Sequence, residues 1–326
     1  MKVLVTGGAG YVGSIVSEEL LAGGYQVSIL DNLQQGHLSA IIPEAEFIKA
    51  DLEDKVALEK VFRTGKFDGV IHMAAETVIE FSMSDPRRYF KNNVVNALTL
   101  LDVMLKYDVK QLVFSSSAAT YGEPKNIPVT EDDPKIPVNS YGESKLIFEQ
   151  ILEWYGRAYG LKYVTMRYFN AAGASEKLGE DHRPETHLIP NVLKAALFQD
   201  RSVSIFGEDY PTKDGSCVRD YVHVRDIALA HILALKNMGD VSGKVFNLGN
   251  GQGYSVKEIV SEARKITGKS ISVATKPRRP GDPAILLANR ERAANELKWQ
   301  PKYADLDIII GSTWEWMRKH PLGYDD

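Results

Sequence analysis

Two tyrosines in this chain stand four residues ahead of a lysine, and that spacing is one way to make a base out of a phenol. Tyrosine ordinarily titrates near pH 10, too high to accept a proton at neutral pH. A lysine one helical turn later lies on the same face, and its charge favours the phenolate. Such a base suits a reaction in which a hydroxyl loses its proton while a hydride leaves the same carbon. With 15 tyrosines in 326 residues the pattern also arises by chance, and it occurs at Tyr121/Lys125 as well as Tyr141/Lys145. Local context separates the two. Gly122 and Pro124 place the first pair in a loop, where the spacing implies no shared face. Tyr141 follows Ser140, which with Glu143 reads as a capping box, and precedes the apolar stripe Leu146, Phe148, Ile151, Leu152 and Tyr155. Tyr141 and Lys145 are the expected catalytic pair. A serine run, Ser115-Ser116-Ser117, follows an apolar strand and offers a hydroxyl to the phenol.

A second chemistry is written at the N-terminus. Gly7-Gly8-Ala9-Gly10-Tyr11-Val12-Gly13 separates an apolar run from a helical segment reaching about Leu21. Small residues there let the backbone approach a pyrophosphate, whose charge the helix N-terminus holds. Asp31 lies 18 residues beyond Gly13, followed by Asn32. A carboxylate at that place accepts hydrogen bonds from the adenosine ribose hydroxyls and repels a 2′-phosphate, which selects NAD over NADP.

These residues need a scaffold that brings strand ends together. Short β-branched runs at 2–6, 26–30, 46–50, 69–73, 111–115 and 163–167 alternate with helical periodicity, the pattern of a parallel sheet covered on both faces. The alternation breaks after Phe169 into a polar stretch, while 244–248 again reads as a buried strand preceded by a helix at 224–235. The fold class is therefore α/β, a Rossmann-type doubly wound parallel sheet with a smaller C-terminal α/β substrate domain. The expected division is 1–170, with about 222–250 returning, for the dinucleotide domain, and 171–221 with 251–326 for the substrate domain. Ser255 and Glu258 form a capping box for a later helix. The apolar helix at 94–105 suggests burial by the sheet on one side and by a second subunit on the other, hence a homodimer.

Composition bounds the rest. Hydrophobic content of 44%, charged content of 25% and a net charge of −4 give no basic surface for nucleic acid. The single Cys217 excludes an internal disulfide and, with no leader or apolar run of spanning length, points to the cytoplasm and away from the membrane. The histidines are read as showing no metal-ligand spacing, so no metal is expected.

The Gly-x-x-Gly-x-x-Gly spacing resembles the extended short-chain dehydrogenase/reductase family. Asp51-Leu52 is similar to the pair that flanks adenine there, and His72-Met73-Ala74-Ala75 to the turn that lines the cofactor. The resemblance implies a Ser117, Tyr141, Lys145 arrangement with Asn93 and Ser115 at the cofactor. Further motifs are Ser115-Ser116-Ser117-Ala118, Arg167-Tyr168-Phe169-Asn170, Val218-Arg219-Asp220-Tyr221, Asn247-Leu248-Gly249 and Arg278-Arg279-x-Gly281-Asp282. Together they resemble the branch that epimerises UDP-hexoses at C4, over nearly the whole chain. That resemblance implies Arg219 and Arg279 at a UDP diphosphate, Asp282 at the uridine ribose, and Asn170, His187 and Leu188 along the diphosphate and uracil. Tyr168 and Phe169 would border nicotinamide and sugar. The acidic pair that related 4,6-dehydratases carry is replaced by Ser117-Ala118. The 76–82 loop departs from the family pattern, and Leu286 stands where some members have a tyrosine that crowds the sugar 2-position. Other NAD-dependent nucleotide-sugar epimerases or decarboxylases, acting on N-acetylated hexoses or pentoses, stay open, as does a non-catalytic NAD-sensing module.

Overall fold

The computed structural model describes residues 1–198, 200–279 and 282–326. The strands in chain order are β1 (Lys2–Thr6), β2 (Gln26–Asp31), β3 (Glu46–Lys49), β4 (Gly69–His72), β5 (Gln111–Ser117), β6 (Lys162–Tyr168), β7 (Asn170–Ala172), β8 (Ser202–Phe206), β9 (Val218–His223), β10 (Lys244–Leu248), β11 (Gly253–Ser255), β12 (Ser272–Lys276) and β13 (Ile285–Leu286). The longer helices are α1 (Tyr11–Ala22), α2 (Lys55–Gly65), α3 (Ala97–Lys106), α4 (Ser140–Tyr159), α5 (Leu188–Leu197), α6 (Val224–Lys236), α7 (Val256–Thr267) and α8 (Leu306–Lys319).

The main sheet has seven parallel strands in the order β10-β6-β5-β4-β1-β2-β3. Its strands read as continuous apolar runs because helices cover both faces. Val3, Val5, Ile29, Ile71, Val113 and Val164 pack on one face with α1 and α6 residues such as Val16, Leu20 and Ile227. Leu4, Leu30, Val70, Leu112 and Phe114 pack on the other, against Leu58 of α2, Leu101 of α3 and Phe148 of α4. The chain runs outward from β1 in both directions, so the loops after β1 and β4 part at the sheet's carboxyl edge. Ligands of such folds bind in that crevice. Smaller sheets, β11-β9-β13 with β7 paired to β9, and β12-β8, stand at the end where the sheet's loops emerge.

Some boundaries differ from the sequence reading. β5 continues through Ser117 because Ser116 and Ser117 stay in register with Arg167 and Tyr168 of β6. The serines are strand residues rather than a turn. Helix α4 is capped by Asn139, not Ser140: the extended Asn139 backbone turns its side chain to accept from Gly142 N at 2.8 Å. The Ser140 hydroxyl instead donates to the Ser82 carbonyl. Ser255 and Glu258 form the expected capping box. The apolar segment from Val94 opens within a wider π-type turn, Lys91–Asn96, and only then becomes α3.

Three histidines are buried in neutral form. Burial pushes His72 down to about 3, aided by the Lys145 charge, and holds His223 and His231 at about 4. Below the ordinary histidine range the unfolded chain binds protons that these imidazoles refuse, so stability falls as pH drops through about 6.5 toward 4. The thermal midpoint is expected to decline across that window and to decline less steeply in His231→Gln. A profile of unchanged slope in the variant would contradict this assignment.

Candidate active site

Along the carboxyl edge of the main sheet runs a cleft of about 1480 Å³. It is lined at one end by Gly7, Gly10, Tyr11, Val12 and Gly13, in the middle by Ser117, Tyr141 and Lys145, and at the other end by Arg219, Arg279 and Asp282. Asp31, Asn32, Asp51, Leu52, Met73, Ala74, Ala75, Ser115, Tyr168, Phe169, Asn170, His187 and Leu188 line it too. Gly281 of the Arg278-Arg279 motif lies outside the described residues. Asn93 is the site residue that does not reach the cleft. It is buried behind the wall, where its side chain accepts from Glu76 N at 2.8 Å and donates to Glu76 O and Ser144 Oγ at 3.0 Å. Its work is to pin the loop after β4 against α4.

The first end fits a dinucleotide. Gly7 has φ +73, and a Cβ on Gly13 would stand 2.1 Å from the Gly7 carbonyl oxygen. Only glycines permit the strand-to-helix turn to close this tightly. Helix α1 is capped by Gly10, with no side chain accepting from its first amides, so those amides can serve an anion. At the end of β2, Asp31 accepts from Ala9 N at 3.0 Å and Leu33 N at 2.8 Å. Burial nevertheless raises its carboxyl above the ordinary value. Asn32 Nδ2 donates to Asp51 Oδ2 at 2.7 Å, which joins the loops after β2 and β3 around one pocket. The acid, the glycine turn and the bare helix end are the three elements an adenosine diphosphate half requires.

At the centre, α4 presents Tyr141 and Lys145 one turn apart. Lys145 Nζ donates to the Ser115 carbonyl at 2.8 Å and lies 5.0 Å from the Phe114 ring and 5.9 Å from that of Tyr141. Burial pushes the ammonium down to about 7, with Glu149 pulling it upward. Burial also raises the Tyr141 phenol, opposed by its hydrogen bond with the Ser117 hydroxyl. The balance differs from the sequence expectation of a phenol lowered by its lysine. Removal from water, invisible in a four-residue spacing, raises the phenol, and the Ser117 hydrogen bond rather than the lysine opposes it. Behind this pair, Tyr168 contacts Ser115 Oγ at 2.7 Å and His231 Nε2 at 2.6 Å. The other ring nitrogen of His231 is 2.9 Å from the Ile227 carbonyl, which fixes the tautomer and leaves Nε2 as an acceptor.

The rival tyrosine has a different fate. Tyr121 is buried, its hydroxyl donating to Asn247 Oδ1 at 2.7 Å and accepting from Arg167 at 2.7 Å, while Lys125 is exposed. Its phenol is pushed up to about 12, first by burial. Tyr121 is a structural hydrogen-bonding group.

At the far end Arg219 pairs with Asp282, and Arg219 NH1 donates to Val218 O at 2.8 Å. The Arg279 guanidinium stacks 3.9 Å over the Phe206 ring. Asn170 Nδ2 donates to the Asp220 carbonyl at 2.9 Å, tying β7 to β9 beneath the same wall. Phe206 was not foreseen: a single aromatic at a strand end has no distinguishing sequence signal. Leu286 lines the cleft and packs with Ala118, Tyr121, Val129 and Phe169.

The expectation of no metal-ligand spacing needs correcting. Glu180, His182, Glu185 and His187 come together with one potential ligand atom from each within 4.8 Å of the others. The signal was present as Glu-x-His-x-x-Glu-x-His, but it falls in an irregular segment where periodicity gives no guidance. Burial alone would raise the Glu180 carboxyl; His187 and His182 hold it low instead, at about 2, and the carboxylates raise His187 well above its ordinary value.

Comparison with known proteins places this cleft in context. Residues 3–249 match the model of the NAD dependent epimerase/dehydratase family. The UDP-glucose 4-epimerase of Halalkalibacterium halodurans is 51% identical, over 99% of this chain and 98% of its own. A crystal structure of a UDP-glucose 4-epimerase superposes with a TM-score of 0.98 at 46% identity, covering 100% of both chains. That of Bifidobacterium longum UDP-glucose 4-epimerase in complex with NAD+ and UDP gives 0.94 at 39%, covering 99% of this chain and 100% of the other.

Proposed function

The chain belongs to the NAD dependent epimerase/dehydratase family, and from that membership and its cleft we infer that it interconverts UDP-glucose and UDP-galactose by epimerisation at C4, with NAD as cofactor. One observation carries the reading: a phenol, a buried lysine and a serine hydroxyl line the same cleft as a glycine-rich dinucleotide turn and a pair of arginines.

NAD, when bound, supplies the acceptor for the C4 hydride and gives it back to either face of the ring. The chain's own residues do the rest. Gly7, Gly10, Tyr11, Val12 and Gly13 hold the pyrophosphate, Asp31 and Asn32 the adenosine ribose, and Asp51 and Leu52 the adenine. Met73, Ala74, Ala75, Ser115 and Tyr168 border the nicotinamide half. Tyr141 takes the proton from the 4-hydroxyl and later returns it, with Ser117 sharing the hydrogen bond. Burial pushes Lys145 down to about 7, and in its charged form it offsets part of the cost of a buried phenolate. Arg219, Arg279 and Asp282 grip the UDP, with Asn170, His187 and Leu188 beside it. Guanidinium groups suit a diphosphate, which accepts two parallel hydrogen bonds from each. A tight hold there and a loose one on the hexose near Phe169 let the sugar turn over while its nucleotide stays in place.

We further assign residues 1–170 with about 222–250 to the NAD lobe, and 171–221 with 251–326 to the UDP-sugar lobe. The enzyme works in the cytoplasm, does not engage nucleic acid, and forms a homodimer through α3 and α4. Val95, in the turn that leads into α3, is exposed at 48%, Trp154 and Tyr159 of α4 at 66% and 56%, and Tyr155 joins α4 to Asp102 of α3 at 3.0 Å. No helix among the described residues is long and apolar enough to cross a membrane.

Four outcomes test these assignments. Purified protein given UDP-galactose without added NAD should form UDP-glucose; no product even after NAD loading would refute the reading. Tyr141→Phe should retain cofactor while losing on the order of 10²–10⁴ in kcat. Leu286 leaves the sugar 2-position uncrowded, so UDP-N-acetylglucosamine should also turn over, and Leu286→Tyr should suppress that reaction while sparing UDP-galactose. Sedimentation at micromolar concentration should give twice the 36.2 kDa chain mass. A monomer would dispose of the dimer.

A further inference from the structure

Between β7 and α5 the chain crosses the cleft wall without regular structure. Its first part is tied down: Tyr11 donates to the Gly173 carbonyl at 2.6 Å, Trp316 Nε1 to Lys177 O at 3.2 Å, and Gly179 N to the Tyr324 hydroxyl at 3.1 Å. Asp181 and Arg183 are held by the C-terminal tail, through Tyr324 N at 3.0 Å and the Asp326 carbonyl at 2.8 Å. The remaining side chains, Glu180, His182, Glu185 and His187, turn toward one another across the bend at Arg183 and Pro184.

Glu180 Oε1 lies 3.0 Å from His182 Nδ1 and 2.7 Å from His187 Nδ1, and Glu185 Oε1 lies 3.0 Å from His187 Nδ1. The two carboxylates are only 3% and 4% exposed. Hydrogen bonds within the cluster account for much of this, but not for Glu185 Oε2, which is sealed from water and has no partner among the described residues. A desolvated carboxylate oxygen with no donor is costly unless a cation meets it. Two imidazole nitrogens and two carboxylates form a four-ligand set suited to a borderline-soft divalent ion. Tetrahedral coordination at 2.0–2.1 Å would place ligand atoms roughly 3.3 Å apart. Three of the observed separations, 2.7–3.0 Å, are somewhat shorter than that edge, and the whole set lies within 4.8 Å, so a bound ion needs only small side-chain adjustments.

We propose that Glu180, His182, Glu185 and His187 bind a divalent transition-metal ion, zinc foremost, that braces the wall of the nucleotide cleft. The ion acts on shape. It closes the segment immediately before Leu188, the first residue of α5, which lines the cleft, and the His182 ring packs edge-on at 6.2 Å against Tyr11 of the phosphate turn. His187, half exposed, is the entry side.

The test uses the full chain as purified. Elemental analysis after gel filtration without chelator should find zinc in stoichiometric amount. After chelation, Zn²⁺ should raise the thermal midpoint and Mg²⁺ at the same concentration should not. Glu185→Gln and His187→Gln should weaken Zn²⁺ binding at least about tenfold. Co²⁺ in the wild-type protein should give the intense visible bands of a tetrahedral site, a readout that stands even if a variant fails to fold. Absence of retained zinc together with an unmoved midpoint overturns the site. Equal Zn²⁺ shifts in wild type and both variants also overturn it, since the ion would then be on other histidines. Weak, octahedral Co²⁺ bands overturn the assigned ligand set.

Discussion

Glu149, a carboxylate almost out of reach of water, sets the position of the helix that carries Tyr141 and Lys145. It faces Arg167 of β6, whose Nε donates to it at 3.0 Å, and it accepts from the Ser116 hydroxyl of β5. Arg167 continues to Tyr121, Tyr121 to Asn247 of β10, and the Asn247 amide to Glu131 Oε1 at 2.8 Å. One buried charge pair therefore fastens α4 to three adjacent strands. Losing one partner of such a pair typically costs 3–5 kcal/mol, because the other is left charged and dry. Glu149 is also one turn beyond Lys145, and it alone opposes the burial that drives the lysine toward neutrality.

From that anchorage the cleft follows by geometry. With α4 fixed over β5 and β6, Lys145 meets the Ser115 carbonyl and Tyr141 meets Ser117, both at the end of β5. Parallel pairing brings the ends of β1, β2 and β4 to the same edge, and with them the glycine turn, Asp31 and the Met73-Ala74-Ala75 wall. The arginines come from another level of the structure, from β9 and the segment before β13, so the substrate half is built from pieces separated by more than a hundred residues of chain from the phosphate turn.

Much of this was legible in the residues, for identifiable reasons. β-Branched runs marked the parallel strands, since a strand buried on both faces has little choice of side chain. Strand ends were read less well because pairing decides them: β5 stops where β6 stops, at Ser117 opposite Tyr168. The helix context that set Tyr141 apart from Tyr121 is present in the structure, whereas the choice of Ser140 over Asn139 as cap failed because both are good capping types and only backbone conformation separates them. The upward push on Tyr141 was hidden, as desolvation depends on what covers a side chain. The Glu180 to His187 cluster was hidden because its segment follows neither period on which face assignments rest.

The sheet's outermost strand carries a consequence for how the molecule is made. β10 pairs with β6 across an interval in which the chain forms α5, β8, β9 and α6 elsewhere. Until residues 244–248 emerge from the ribosome, β6 is an open edge, with Val164 and Met166 on one face and Tyr163, Thr165 and Arg167 on the other, and is able to pair with another chain. Closing it late adds long-range contacts that slow folding. The nascent chain thus spends the interval with its arginine-bearing strand exposed, so the same topology that brings a late strand beside an early one also defines its period of greatest exposure to misassembly.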